Sequence, residues 1–234
     1  MTTLKPLLLA VATFAFAVAP LVTPPFTGYD PAMFPVPIVR PAIQPAGYAF
    51  SIWGVIYIWL VVHAGYGLWK RRDVPAWDAV RWPLIIAVGI GAVWLAIASS
   101  FPVTATITIW IMLGAALLAF LRADPVQDRW LLSAPTAIFA GWLSAAAAVS
   151  LGVLLAGYGW LSDTASAVLM LALVLVVAMA VQRARPTMPV YGLTVIWALI
   201  GVVVANANTN LTVAVLATIG AGIMAATLWL VRRS

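Results

Sequence analysis

Residues 45–69 read PAGYAFSIWGVIYIWLVVHAGYGLW. The stretch is long enough to cross a bilayer, which takes about 20 predominantly apolar residues. A plain anchor would be built of Leu, Ile and Val. This one carries Trp53, Trp59 and Trp69, four other aromatic residues, and the only His of the chain, His63. Rings that can both stack and hydrogen-bond have been placed inside the membrane, and the question is what they face.

The rest of the chain has the same character. Of 234 residues, 65% are hydrophobic and 8% charged, against about 45–50% and 25% in soluble domains. Mean hydropathy is +1.10. Cys is absent, which excludes disulfides and thiolate metal sites, and the six acidic residues are all Asp. The net charge of +6 is scattered through short loops and forms no basic patch with a reading element. Nucleic acid is therefore not an expected partner, whereas the lipid bilayer is.

Hydropathy predicts an all-α, polytopic bundle of eight spans, at about 5–23, 46–69, 82–101, 103–122, 132–157, 164–182, 189–207 and 211–231. Phe101-Pro102 breaks the third from the fourth, because Pro disfavours helix in the residue before it. Charge tests the count independently, since Lys and Arg are retained on the cytoplasmic side. Lys5, Lys70, Arg71, Arg72, Arg81, Arg122, Arg129, Arg183, Arg185, Arg232 and Arg233 all fall on one side if both termini are inside, and Arg40 alone falls outside. Residues 1–23 read as a retained helix rather than a signal peptide, because Pro20 follows the small-residue AVA at 17–19. Between the first two spans, residues 24–45 hold seven Pro. Such a rigid segment should lie across the bundle, as a lid over a cavity or as a connector covering helix ends.

With these elements in place, a resemblance can be identified. Pro41 and Pro45, then Phe50, Trp53-Gly54-x-x-Tyr57 and GYGLWK at 65–70 resemble the tryptophan-rich sensory protein/translocator protein (TspO/MBR) family, in particular its longer bacterial members. PTAIFAGWLSAAAAVS at 135–150 is similar to the fifth helix of that family. Two positions differ: Gly91 stands where the family's third helix has Asn, and Ser150 where its fifth helix has Asn. The resemblance implies a five-helix core over residues 1–157, with residues 158–234 adding three transmembrane helices. It also implies a bacterial inner-membrane location and a pocket for a hydrophobic ligand such as a porphyrin, haem or another tetrapyrrole. Sensing, transport and light-dependent tetrapyrrole breakdown are the roles proposed for the family.

Trp53 and Tyr57 lie one turn apart on one helical face. Together with Phe50, Trp94 and Trp142 they are the candidate ligand-binding residues. Trp110 is a further inner ring, while Trp69, Trp77, Trp82, Trp130, Trp160 and Trp229 fit an interfacial belt. His63 is expected to be neutral and bonded to a backbone carbonyl. The Asn residues of NANTN at 206–210 are expected to satisfy helix ends. Ala140, Ser144, Ala148 and Gly152 make a small-residue stripe for close helix packing, which leaves a homodimer open as well as packing within the chain. The six Asp are expected in loops, and no acid–base, metal or nucleophilic set is complete. A ligand-binding sensor or regulator is the first expectation. A small-molecule transporter, or an assembly partner of a membrane pigment complex, are the alternatives.

Overall fold

A computed structural model describes residues 4–24 and 26–232; Arg233, counted above among the inner charges, lies outside them. Eight helices follow in order: α1 Leu4–Val22, α2 Ile52–Lys70, α3 Pro75–Ala98, α4 Pro102–Arg122, α5 Ser133–Gly157, α6 Asp163–Ala184, α7 Val190–Asn206 and α8 Leu211–Val231. Seven are long and apolar enough to span a bilayer. At 17 residues, α7 stands at the lower limit for a span, about 17 residues. The chain is a polytopic membrane helix bundle, with no strand among the described residues.

At the centre stands α5. Helix α4 packs on one side of it, α6 and α7 on another, and α2 touches it across the cavity described below. Helices α1 and α3 close the bundle beyond α4, and α8 lies against α6 and α7. Lipid tails are as apolar as a Leu side chain, so membrane helices associate by close packing rather than by the hydrophobic effect. The composition of α5 permits that closeness. Ala140, Ser144, Ala148 and Gly152 are all buried, so the stripe packs within the chain. Ser144 Oγ meets the Tyr191 hydroxyl at 3.0 Å, and Ser166 Oγ donates to the Gly152 carbonyl at 2.5 Å. A Cβ on Gly141 would lie 2.8 Å from the backbone oxygen of Tyr191.

The third helix differs from the expectation. It begins at Pro75 rather than at 82, with Pro75 in the first turn, where its missing N–H costs nothing. Its opening turns look polar in sequence, but their polar groups are used. Arg81, 2% exposed, donates to the carbonyls of Arg71 and Arg72 at 2.8 Å each and pairs with Asp78 at 3.1 Å. Asp78 also binds Lys5 at 2.7 Å. Asp78 thus lies in α3 and Asp163 opens α6, so the six Asp are not all in loops.

Trp77 corrects the interfacial assignment. It is 1% exposed, stacks on His63 with ring centroids 4.8 Å apart and donates to Asp128 at 2.8 Å. His63 Nδ1 lies 2.7 Å from the Leu131 carbonyl, the backbone partner expected of it. The Arg71 guanidinium completes the knot at 2.6 Å from Asp128 and holds that carboxyl below the usual range. On the same side Arg185 reaches the carbonyls of Leu121 and Ala123 at the end of α4.

Two expected outcomes follow from this packing. Gly141→Ala should lower thermal stability in detergent by about 1–3 kcal/mol, the usual cost of overpacking, because a backbone oxygen cannot move aside. Gly54→Ala, which meets open space, should leave stability unchanged or slightly raised. Because the Asp128 pKa is depressed on folding, its contribution is present above its unfolded value near 3.9 and is lost as pH falls through the folded value. Acid unfolding scans of wild type and Asp128→Asn should therefore differ at neutral pH and converge below about pH 4.

Candidate functional site

Under the proline-rich segment, in the half of the bundle away from the basic loops, lies a cavity of about 220 Å³. Every residue lining it falls between Phe16 and Val153, and none is charged. Phe50, Trp53, Tyr57, Trp94 and Trp142 all line it. Five rings from three helices and a 3₁₀ turn (Gly47–Ser51) are thus brought to one space.

Their arrangement follows from helix geometry. Residues four apart lie on one face, and the Trp53 and Tyr57 rings stack with centroids 5.3 Å apart and planes at 15°. Phe16 of α1 packs edge-on against both, at 5.8 and 5.0 Å. Trp142, in the middle of α5, stands edge-on to Trp53 at 6.2 Å and to Phe50 at 5.7 Å. Such edge-to-face pairs match the ring quadrupoles. Trp94 is fixed by donating its N–H to the Ala105 carbonyl at 2.9 Å. The Trp142 N–H is buried and has no partner among the described residues. Trp110 and His63 do not line the cavity, so axial ligation there by the only His is excluded.

Residues outside the five complete the wall. Gly91, where the family pattern has Asn, admits the Phe16 ring: a Cβ there would lie 2.5 Å from it. Ser150, at the other departure, bonds the Tyr29 hydroxyl and Thr106 Oγ1, both at 2.6 Å. Thr106 Oγ1 also lies 2.9 Å from the Pro102 carbonyl, which can only accept. The Thr106 proton therefore goes to Pro102, the Ser150 proton to Thr106, and the Tyr29 proton to Ser150. Burial pushes the Tyr29 hydroxyl above its usual pKa, with its bond to Ser150 opposing, so it stays protonated and keeps this direction. With its proton committed, the Tyr29 oxygen can offer a cavity occupant only an acceptor.

This chain of hydroxyls fastens the proline-rich segment to the bundle. Phe26 adds edge contacts to Trp94 and Tyr29 at 5.3 and 5.6 Å, and Gln44 donates to the Thr27 carbonyl at 3.0 Å. Gly28, at φ +130°, supplies the turn between them. The segment lies across the bundle as expected, and Pro24, Phe26, Gly28 and Tyr29 roof the cavity. No periodicity in the sequence marks Phe16, and nothing local joins Tyr29 to Ser150.

Against known families, the chain matches the sequence profile of one described as TSPO-like protein, over residues 36–230. The match therefore begins within the proline-rich segment and runs through α6, α7 and most of α8. No curated protein and no solved structure matches the chain.

Ser150→Ala should release the roof without emptying the cavity. It removes two hydrogen bonds, to Tyr29 and to Thr106, at a cost of about 1–3 kcal/mol. Amide exchange followed by mass spectrometry should then show faster exchange confined to about residues 26–34, with α5 unchanged.

Proposed function

Since the chain belongs to the TSPO-like protein family, we propose that this integral membrane protein binds a flat hydrophobic ligand in the aromatic cavity, with a porphyrin or related tetrapyrrole as first choice, and acts in sensing or regulation. The observation that carries this reading is the convergence of Phe50, Trp53, Tyr57, Trp94 and Trp142 on one space with no charged wall. Stacking and apolar burial, at about 25 cal/mol per Å², supply the affinity. The free Trp142 N–H and the Tyr29 oxygen supply orientation.

In size the cavity is small. Ligand sites commonly measure about 300–1,000 Å³, against about 220 Å³ here. In this reading a macrocycle enters one edge first and displaces the Phe26–Tyr29 roof. Burying an unpaired carboxylate is costly, so its acidic side chains stay at the mouth, beside Gln44 and Pro24. Residues 1–157 carry the cavity and residues 158–234 brace it. A bacterial inner membrane is the setting, with basic loops inside and the roof outside.

Titration of the purified protein with protoporphyrin IX, followed by Trp quenching and pigment absorption, tests the assignment. Replacing Trp53 by Ala removes a stacked ring and its buried area, so Kd should rise by at least about tenfold while the thermal midpoint moves little. Equal affinity in wild type and W53A would sink the proposal.

A further inference from the structure

Just ahead of the cavity wall, the chain from Ala42 to Ser51 crosses the outer ends of α6 and α7. These helices take up the polar groups of its backbone in turn. Both oxygens of the Asp163 carboxylate lie 3.1 Å from the Ala42 amide and accept from it. Asn206 Nδ2 donates to the Ala42 carbonyl at 2.8 Å and to the Val202 carbonyl at 2.9 Å. One peptide unit on each side of Ala42 is thus gripped by two buried or half-buried side chains from different helices. Further along, Ala46 N–H donates to the Gly201 carbonyl at 2.9 Å, and Trp197 Nε1 donates to the Ala49 carbonyl at 2.9 Å.

The fit is steric as well as polar. A Cβ on Gly201 would lie 2.8 Å from the Pro45 Cβ and 2.9 Å from the Ala49 Cβ, so only bare helix backbone admits the segment. Trp197 and Gly201, four residues apart, share that face of α7. The grip is itself tied down, because Asn210, which caps α8, donates to Thr164 Oγ1 beside Asp163 at 2.8 Å.

Trp197, Gly201, Asn206 and Asp163 do not line the cavity, yet Pro45, which packs on Gly201, and Phe50, which follows the Ala49 bound by Trp197, do. Trp53 follows Phe50 by three residues. We infer that α6 and α7 set the shape of the ligand cavity from outside it, with Asp163, Trp197, Gly201 and Asn206 as positioning residues for the 42–51 strap. The inference rests on the reading of the aromatic cavity as the ligand site. The helices beyond α5 thereby make one side of the cavity rigid, so that the roof made by Pro24 and residues 26–29 is the side that yields.

The absence of Cys allows a direct test. Ile43, within the strap and turned toward Gly152 of α5, is 3% exposed and does not line the main cavity. A thiol introduced by Ile43→Cys therefore reacts with a maleimide only when the strap lifts. In that background, Trp197→Phe (which keeps a ring and removes the N–H) and Asn206→Ala are compared with Ile200→Ala, a change on the outward face of α7 where the side chain is 44% exposed. Labelling rate, thermal midpoint and protoporphyrin IX affinity are measured on each in detergent. The first two variants should label about fivefold faster and bind about fivefold more weakly, the effect of one hydrogen bond, at a midpoint near that of the background. Ile200→Ala should change neither. Unchanged labelling in both variants would overturn the inference, and so would faster labelling with unchanged affinity. If the background protein binds no porphyrin, the porphyrin reading fails on its own, and the labelling rates alone support or overturn the strap.

Discussion

Everything in this bundle depends on how closely other helices can approach α5. In a bilayer the association of helices gains little from excluding apolar surface, so packing distance decides. Gly141 brings the backbone of α7 to van der Waals contact, and Gly152 admits the side chains of Met170 and Ser166 from α6 and of Ile43 from the strap. Small residues elsewhere on α5 have the reverse effect. Facing α1 and α2, the side chains of Ala145, Ala146, Val149 and Ser150 are too short to fill the gap, and the cavity is the space they leave. Trp142 interrupts that row of small residues as a large ring lining the cavity, and Phe139, about one turn before it, packs against Phe16 and Trp53.

A cavity at membrane depth raises a second constraint, since irregular backbone is tolerated there only where its polar groups are satisfied. The proline-rich segment meets this condition in two ways. Pro removes the amide donor altogether at several positions, and several remaining groups there and in the strap that follows are taken by distant helices: Asp163 and Asn206 at Ala42, the Gly157 carbonyl at Val36, Trp197 at Ala49. Near the roof, Tyr29 reaches Ser150 across 121 residues of sequence. At the end of the bundle with the basic loops the same logic governs the buried His63 and Trp77 and the half-buried Asp128, which are held together because each completes another.

Hydropathy made the helices legible, because it depends on composition within a window. The start of α3 was hidden, since Asp78 and Arg81 lower the local hydropathy while their partners, Lys5 and the carbonyls of residues 71 and 72, lie elsewhere. Trp77 was hidden for the same reason: its position beside the basic loop is that of a belt residue, and only His63 and Asp128 draw it inward. The site was partly legible. Trp53 and Tyr57 declare a shared face by their spacing, and Phe50, Trp94 and Trp142 came through motif resemblance. Phe16 could not be read, because its place depends on Gly91 being small in another helix. Ser150 was visible as a departure from the family pattern, but its role needed Tyr29 and Thr106 beside it.

The three helices beyond α5 can be understood in these terms. Without them, the face of α5 carrying Gly141 and Gly152 would meet lipid, and a chain of Ala, Gly and Ser makes poor contact with mobile acyl tails. With them, that face meets Tyr191, Thr194, Ser166 and Met170 at close range, and the same helices present Asp163, Trp197 and Asn206 to the strap. Bracing α5 and bracing the strap are thus one event. Because the strap leads directly into Phe50 and Trp53, the cavity takes its dimensions from residues on both sides of α5, only some of which line it. On the proposed reading a ligand takes the place of the roof formed by Pro24 and residues 26–29, which is held by a hydroxyl chain, a hydrogen bond from Gln44 and the edges of neighbouring rings.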